Sequence, residues 1–144
     1  MTDRLSSEQR SRLMSRVRNK NTAPEIKVRS VLHRMGYRFR LHRRDLPGQP
    51  DIVLPRHRKA IFVHGCFWHQ HRGCRKSARP TTRTKFWNDK LDGNVRRDTE
   101  SIGALRRSGW TPLVVWECQV GDEKTLRKSL HRFLSEEHRR VVPK

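Results

Sequence analysis

The chain has 144 residues, enough for one domain with a modest core. It carries 34 Lys and Arg against 14 Asp and Glu, a formal charge of +20 with a pI near 11.5, and that balance points to a polyanionic partner. Its longest apolar runs, residues 60–63 and 113–116, are far too short to span a bilayer, and no basic helix with one continuous apolar face argues for a membrane surface.

Residues 1–20 form a basic arm or short helix, with Leu5, Leu13, Met14 and Val17 as its few apolar positions. Residues 21–144 then make a single domain. Thr22-Ala-Pro-Glu25 reads as a capping box, with threonine at N-cap, proline in the first turn and glutamate at N3. Val28, Val31, Leu32 and Met35 follow at helical spacing, and Gly36 stops the helix. Residues 37–41 alternate weakly, as a short strand does, and 46–50, Leu-Pro-Gly-Gln-Pro, form a turn. Residues 51–54 and Lys59–His64 are expected as paired strands around a basic turn. Phe86, Trp87, Leu91, Val95, Ile102 and Leu105 predict one long helix, interrupted by Gly93 and Gly103 and ended by Gly109. Thr111–Trp116, with two adjacent valines, is expected as a central strand. Asp122 caps a last helix with Leu126, Leu130, Phe133 and Leu134 on one face. The order α-α-β-β-β-α-β-α predicts an α/β fold with a small mixed sheet between helices.

The densest chemistry lies in residues 64–74, His-Gly-Cys-Phe-Trp-His-Gln-His-Arg-Gly-Cys. Cys66, His71, Cys74 and the distant Cys118 offer three thiolates and one imidazole, a set that suits a closed tetrahedral zinc. Cys118 reaches that loop if the strand before it lies beside Lys59–His64. His69 is the alternative imidazole ligand, since spacing alone does not separate it from His71. Buried free cysteines are the plainer reading. A disulfide framework is not expected: the count is odd and no secretory segment is visible, so a reducing, cytoplasmic compartment is expected.

Asp51 opens a hydrophobic strand, and an acid beside a neighbouring strand end can hold Mg²⁺ at a phosphodiester; most such aspartates only cap a turn. His69 has the chemistry of a general base and His64 that of a phosphate donor, or of an ordinary half-buried strand-end histidine. Glu25 either supports a site or only caps its helix. Asp98 is either a site residue or a solvated helix charge. Phe67, Trp68 and Trp87 are candidates to wedge between base steps, which costs least where pairing is already faulty.

Leu46-Pro-Gly-Gln-Pro-Asp51-Ile-Val, Phe62-Val-His-Gly-Cys-Phe-Trp-His69, Thr82-Arg-Thr-Lys-Phe-Trp87, Asn94-Val-Arg-Arg-Asp98 and Gly109-Trp through Trp116-Glu-Cys118 carry a specific resemblance. The chain resembles the very short patch repair endonucleases, bacterial enzymes that nick DNA at T:G mismatches, over about residues 11–118. The resemblance implies a restriction-endonuclease-like core. It implies a Mg²⁺ held by Asp51 and the backbone carbonyl of Val63, His69 as the base that activates water, and His64, Glu25 and Asp98 in support. It also implies a structural Zn²⁺ on Cys66, His71, Cys74 and Cys118. Phe67, Trp68 and Trp87 match intercalating aromatics, and Met14 lies in a segment that reaches the minor groove. Val63 stands where relatives often carry threonine, which ligation through a carbonyl tolerates. The His71–Cys74 gap is one residue longer than theirs.

The expected function is therefore a Mg²⁺-dependent endonuclease that nicks double-stranded DNA beside the thymine of a T:G pair arising from deaminated 5-methylcytosine. The expected protein is a nucleoid-associated monomer, open to a mismatch-repair partner. Two rivals remain: a non-catalytic, zinc-stabilised DNA-binding module, and a nuclease of the same fold for other DNA structures. The grouping of Asp51, His64 and His69 argues against the first, and the aromatics against the second.

Overall fold

A computed structural model of the chain describes residues 21–136. The N-terminal arm, Met14 included, lies outside the described residues. The elements run α1 (Ala23–Arg34), β1 (Arg40–Leu41), β2 (Ile52–Leu54), β3 (Lys59–His64), α2 (Thr84–Arg107), β4 (Thr111–Trp116) and α3 (Glu123–Ser135). Within the described residues the helices and strands fall close to where the periodicity placed them, with the strand expected at residues 37–41 reduced to Arg40–Leu41, and the layout is the mixed α/β one expected.

The four strands form one sheet in the order β1-β2-β3-β4. The first two pairings are antiparallel and β3–β4 is parallel, running from Lys59↔Thr111 to His64↔Trp116. Strand alternation sorts the core into two layers. Ile52, Leu54 and Ile61 face α1 and α3, where Val28, Val31, Leu32, Leu126, Leu130, Phe133 and Leu134 close the larger cluster. Val53, Ala60 and Phe62 face the other way, onto Leu105 and Trp110.

Two expectations change. β4 is an edge strand among the described residues, not a central one, and is mostly half-buried. Pro112 is the physical reason, because a residue without an N–H suits an edge. On α2, Phe86 and Val95 are exposed, while Trp87, Leu91, Gly93 and Leu105 are buried. The helix turns only a narrow stripe inward.

Both α1 and α3 begin with side-chain caps. Thr22 accepts from the Glu25 N–H, and Asp122 accepts from the Thr125 N–H. Gly48 sets the turn that leads into Asp51. Its φ is +74°, and a Cβ there would stand 2.6 Å from that of Ser101 on α2. Glycine thus lets this turn lie flat on the helix. Among the described residues, no helix is long and apolar enough to cross a membrane.

Candidate active site

The end of β1, the start of β2 and the ends of β3 and β4 meet at one end of the sheet. Asp51 sits there, just before β2. Its Oδ2 accepts the Val63 N–H at 2.7 Å, so the strand next door fixes the carboxylate. Among the described residues no donor reaches its other oxygen, which is left for a cation. Burial pushes the Asp51 carboxyl up to about 6, and the nearby Glu25 charge adds to the rise; the Val63 N–H, His42 and His69 oppose it. A charge that is costly when bare, with one open oxygen, fits a hard divalent cation.

His64 and His69 stack face to face, with centroids 3.8 Å apart and planes 5° from parallel. His69 Nδ1 lies 2.7 Å from Asp98 Oδ2 on α2, so Asp98 is a partner of the site and not a solvated helix charge. That contact orients the ring and, with the carboxylate oxygen accepting, places the proton on Nδ1 and leaves Nε2 as the acceptor. Burial, and then the adjacent His69, push His64 down to about 3, which keeps it neutral.

Glu25 is 1% exposed, and its carboxylate does not close the capping box on Thr22. Oε2 instead accepts the Asn21 N–H at 2.8 Å, and Oε1 meets Arg29 Nη2 at 2.5 Å and His42 Nε2. Glu25, His42 and Asp51 each bring a ligand atom within 4.8 Å of the others, as do His64, His69 and Asp98. Sequence reasoning missed His42 and Arg29. Nothing in the basic stretch 40–44 sets this histidine apart until β1 pairs with β2.

Cys66, His71, Cys74 and Cys118 form the third such group. All three cysteines are free. His71 Nδ1 lies 3.6 Å from Cys66 Sγ and 3.3 Å from Cys118 Sγ. Metal bonds of about 2.3 Å to sulfur and 2.0 Å to nitrogen would separate such atoms by about 3.5 Å. The donor set therefore fits a tetrahedral metal, with His71 rather than His69 as its imidazole. Burial pushes the Cys66 thiol up to about 12. The Lys76 backbone N–H is the main cause of a lowered Cys74. A bound cation would offset the cost of holding Cys66 as a thiolate. Trp116 stacks on His71, centroids 4.2 Å apart, and Glu117 accepts the Cys66 N–H at 3.0 Å. Glu117 also went unread in the sequence, although it lies inside the Trp-Glu-Cys motif.

The loop that carries this cluster also carries Phe67 and Trp68. Both rings pack against Trp87, at 5.6 and 6.1 Å, and Trp87 touches Phe86 at 5.2 Å. Trp87 is 7% exposed and forms the hub, while Phe67 and Trp68 are half-buried above it. Asn94 on α2 donates to the Trp68 carbonyl at 3.0 Å and ties the loop to the helix. Lys90 stands 5.9 Å from the Trp68 ring centre, and the Arg83 guanidinium 4.6 Å from that of Phe86, so the aromatic patch is flanked by cations.

The family model described as DNA mismatch endonuclease Vsr matches residues 2–76. The Type II nicking enzyme V.XorIIP of Xanthomonas oryzae pv. oryzae is 53% identical over 134 residues, covering 93% of this chain and 98% of that protein. The DNA mismatch endonuclease Vsr of Escherichia coli K12 is 41% identical over 137 residues, covering 94% and 87%. The Type II nicking enzyme V.NmeAIP of Neisseria meningitidis serogroup A is 37% identical over 136 residues, covering 94% and 96%. The chain belongs to the Vsr family of DNA mismatch endonucleases.

Proposed function

We propose that this enzyme nicks one strand of double-stranded DNA beside the thymine of a T:G mismatch, with Mg²⁺ as its catalytic cation. The observation that carries the reading is the meeting of Asp51, His64, His69 and Asp98 at one sheet end, beside a Cys/His cluster whose loop presents aromatics. Asp51 and the Val63 carbonyl would hold Mg²⁺, which as a Lewis acid offsets charge gathering on the scissile phosphate and the leaving oxygen. His69 takes the proton of the attacking water at Nε2 while Nδ1–H stays on Asp98. The new O–P bond forms in line as the bond to the 3′-oxygen breaks, and that oxygen takes a proton from solvent water, leaving a 5′-phosphate and a 3′-hydroxyl. Neutral His64 fixes the plane of His69 by stacking and donates its N–H to the phosphate. Glu25 supports the Asp51 side.

Zn²⁺ is the metal we assign to Cys66, His71, Cys74 and Cys118, in a structural role. Phe67, Trp68 and Trp87 supply the wedge that unstacks the faulty step, and Met14 reaches the minor groove from the N-terminal arm (residues 1–20). Residues 21–144 act as one catalytic domain, working as a monomer on the bacterial nucleoid and open to a mismatch-repair partner.

The test uses two end-labelled duplex pools that differ by a single T:G pair set in randomised flanks. A Mg²⁺-dependent nick beside the thymine, absent from the T:A pool, is the expected result. Tight binding without a cut in any context would instead make this a DNA-binding module.

A further inference from the structure

The Glu25–His42–Asp51 group has three donor atoms near one another, yet it is not a second cation site. Both Glu25 oxygens are engaged, Oε2 by the Asn21 N–H and Oε1 by Arg29 and His42. Asp51 alone keeps an open oxygen. The group is better read as a frame around that oxygen.

His42 is the joint of the frame. Its backbone N–H donates to the Asp51 carbonyl at 3.1 Å, one step beyond the last residue pair of β1 and β2. Its ring meets Glu25 on α1. A single residue thus ties the start of β2 to the start of α1, 17 positions back in the chain. It does so in a left-handed backbone conformation, φ +51°, that a side-chain-bearing residue adopts at a cost. Turning the chain this way brings the ring onto Glu25. Arg29 pairs with the same Glu25 oxygen and stands 3.4 Å from the His42 ring, so a guanidinium and an imidazole share that carboxylate.

We propose that His42 is a positioning residue for the catalytic cation: by holding Glu25 and the Asp51 backbone together, it fixes the open Asp51 oxygen where the ion is bound. The proposal rests on the reading that Asp51 holds that ion. Groups that orient a metal ligand through hydrogen bonds change metal affinity by roughly 10–100-fold when removed.

The unusual backbone makes a clean test possible. His42→Gly removes the ring and suits a positive φ, which offsets part of the stability lost with the Glu25 contact. Mn²⁺ is titrated into the full-length protein, without DNA, and the free ion is counted by electron paramagnetic resonance. We expect His42→Gly to weaken Mn²⁺ binding about 10-fold or more while the protein stays folded at the titration temperature, as its thermal melt shows. His42→Gln, which can still donate to Glu25, should recover affinity to within about threefold of wild type. Unchanged Mn²⁺ affinity in His42→Gly overturns the proposal, as does equal weakness in the glycine and glutamine variants. Asp51→Asn is measured alongside. Wild-type Mn²⁺ binding by that variant would overturn the parent reading, whatever His42 does.

Discussion

Two clusters of ligand-type side chains lie at the same end of the sheet, and they are built on opposite plans. The Cys66–His71–Cys74–Cys118 group is closed. Soft donors come from both sides of the β3–β4 pairing, and the His71 ring is covered by Trp116. The Asp51 group is open: hard oxygen and imidazole donors, one free carboxylate oxygen, and partners that orient rather than enclose. A closed set of four donors leaves a metal nothing to do but hold the fold, whereas an open set leaves room for substrate. The histidines of residues 64–74 divide accordingly. His71 goes to the sulfur cluster, and His64 and His69 go to the open one.

This contrast is broken most severely from the closed side. If the cluster holds the proposed metal, Cys118→Ala should lose it and cost several kcal/mol of stability, because structural-metal affinity is folding free energy. Metal content by atomic emission and a thermal melt would show it together with lost nicking; a fully stable, metal-free variant would mean that the cluster is decoration. Asp51→Asn should behave in the reverse sense. Nicking should fall on the order of 10³-fold while binding to mismatched duplex and the metal content of the cysteine cluster persist. The stability effect has a definite sign. The folded pKa of about 6 lies above the usual 3.8, so stability declines as pH rises from about 4 to 6. Removing the charge should therefore raise the unfolding free energy at pH 7, by on the order of 2–3 kcal/mol before cations are added. Urea melts at pH 7 and at pH 4 would test this, the difference between wild type and variant closing at the lower pH.

Asp98→Asn is expected to be milder. It keeps a partner for His69 but loses the carboxylate, and a drop of about 10²-fold in single-turnover rate is anticipated with unchanged melting temperature. Should the rate stay within twofold of wild type, His69 would need no orienting partner. The His64 effect is read in the pH response of stability rather than in the rate. Its folded value, about 3, lies below the usual 6.5, so stability is lost as pH falls through that window. His64→Gln should remove this acid-side loss, flattening the fall in melting temperature between pH 6.5 and 4. A slope identical to wild type would show that His64 is not the group responsible.

How much of this could be read from residues alone follows from range. The helix caps at Thr22 and Asp122, the strand alternation and the clustering of cysteine and histidine are local patterns, and each was legible. Residues 64–74 were legible because unusual residue types crowd together there. His42 was not, because its meaning depends on α1 packing over the start of β2, and a histidine among arginines carries no periodic signal. Glu25 was read as a cap and a possible support. Its carboxylate serves the neighbouring Asn21 N–H, Arg29 one turn on and His42 instead of the Thr22 N–H. The edge position of β4 had a sign in Pro112 that the two valines obscured. Trp87 and Phe86 illustrate the limit on faces: adjacent on α2, one is the buried hub and the other is exposed, and only packing decides which.

The parallel pairing of β3 with β4 has a consequence for how the chain reaches its fold. Every residue pair in that ladder, from Lys59↔Thr111 to His64↔Trp116, joins positions 52 apart, and Cys66 and Cys118 keep the same interval. Cys66 and Cys118 therefore lie the same two residues past the last pair of the ladder. Pairings this distant are slow to form, because loop closure is lost before any contact repays it. A cross-link over such a span removes about 4 kcal/mol of chain entropy from the unfolded ensemble by the disulfide analogy. A cation that gathers Cys66 and Cys118 early would hand β3 and β4 their alignment, so that the order of metal uptake and strand pairing sets the folding rate.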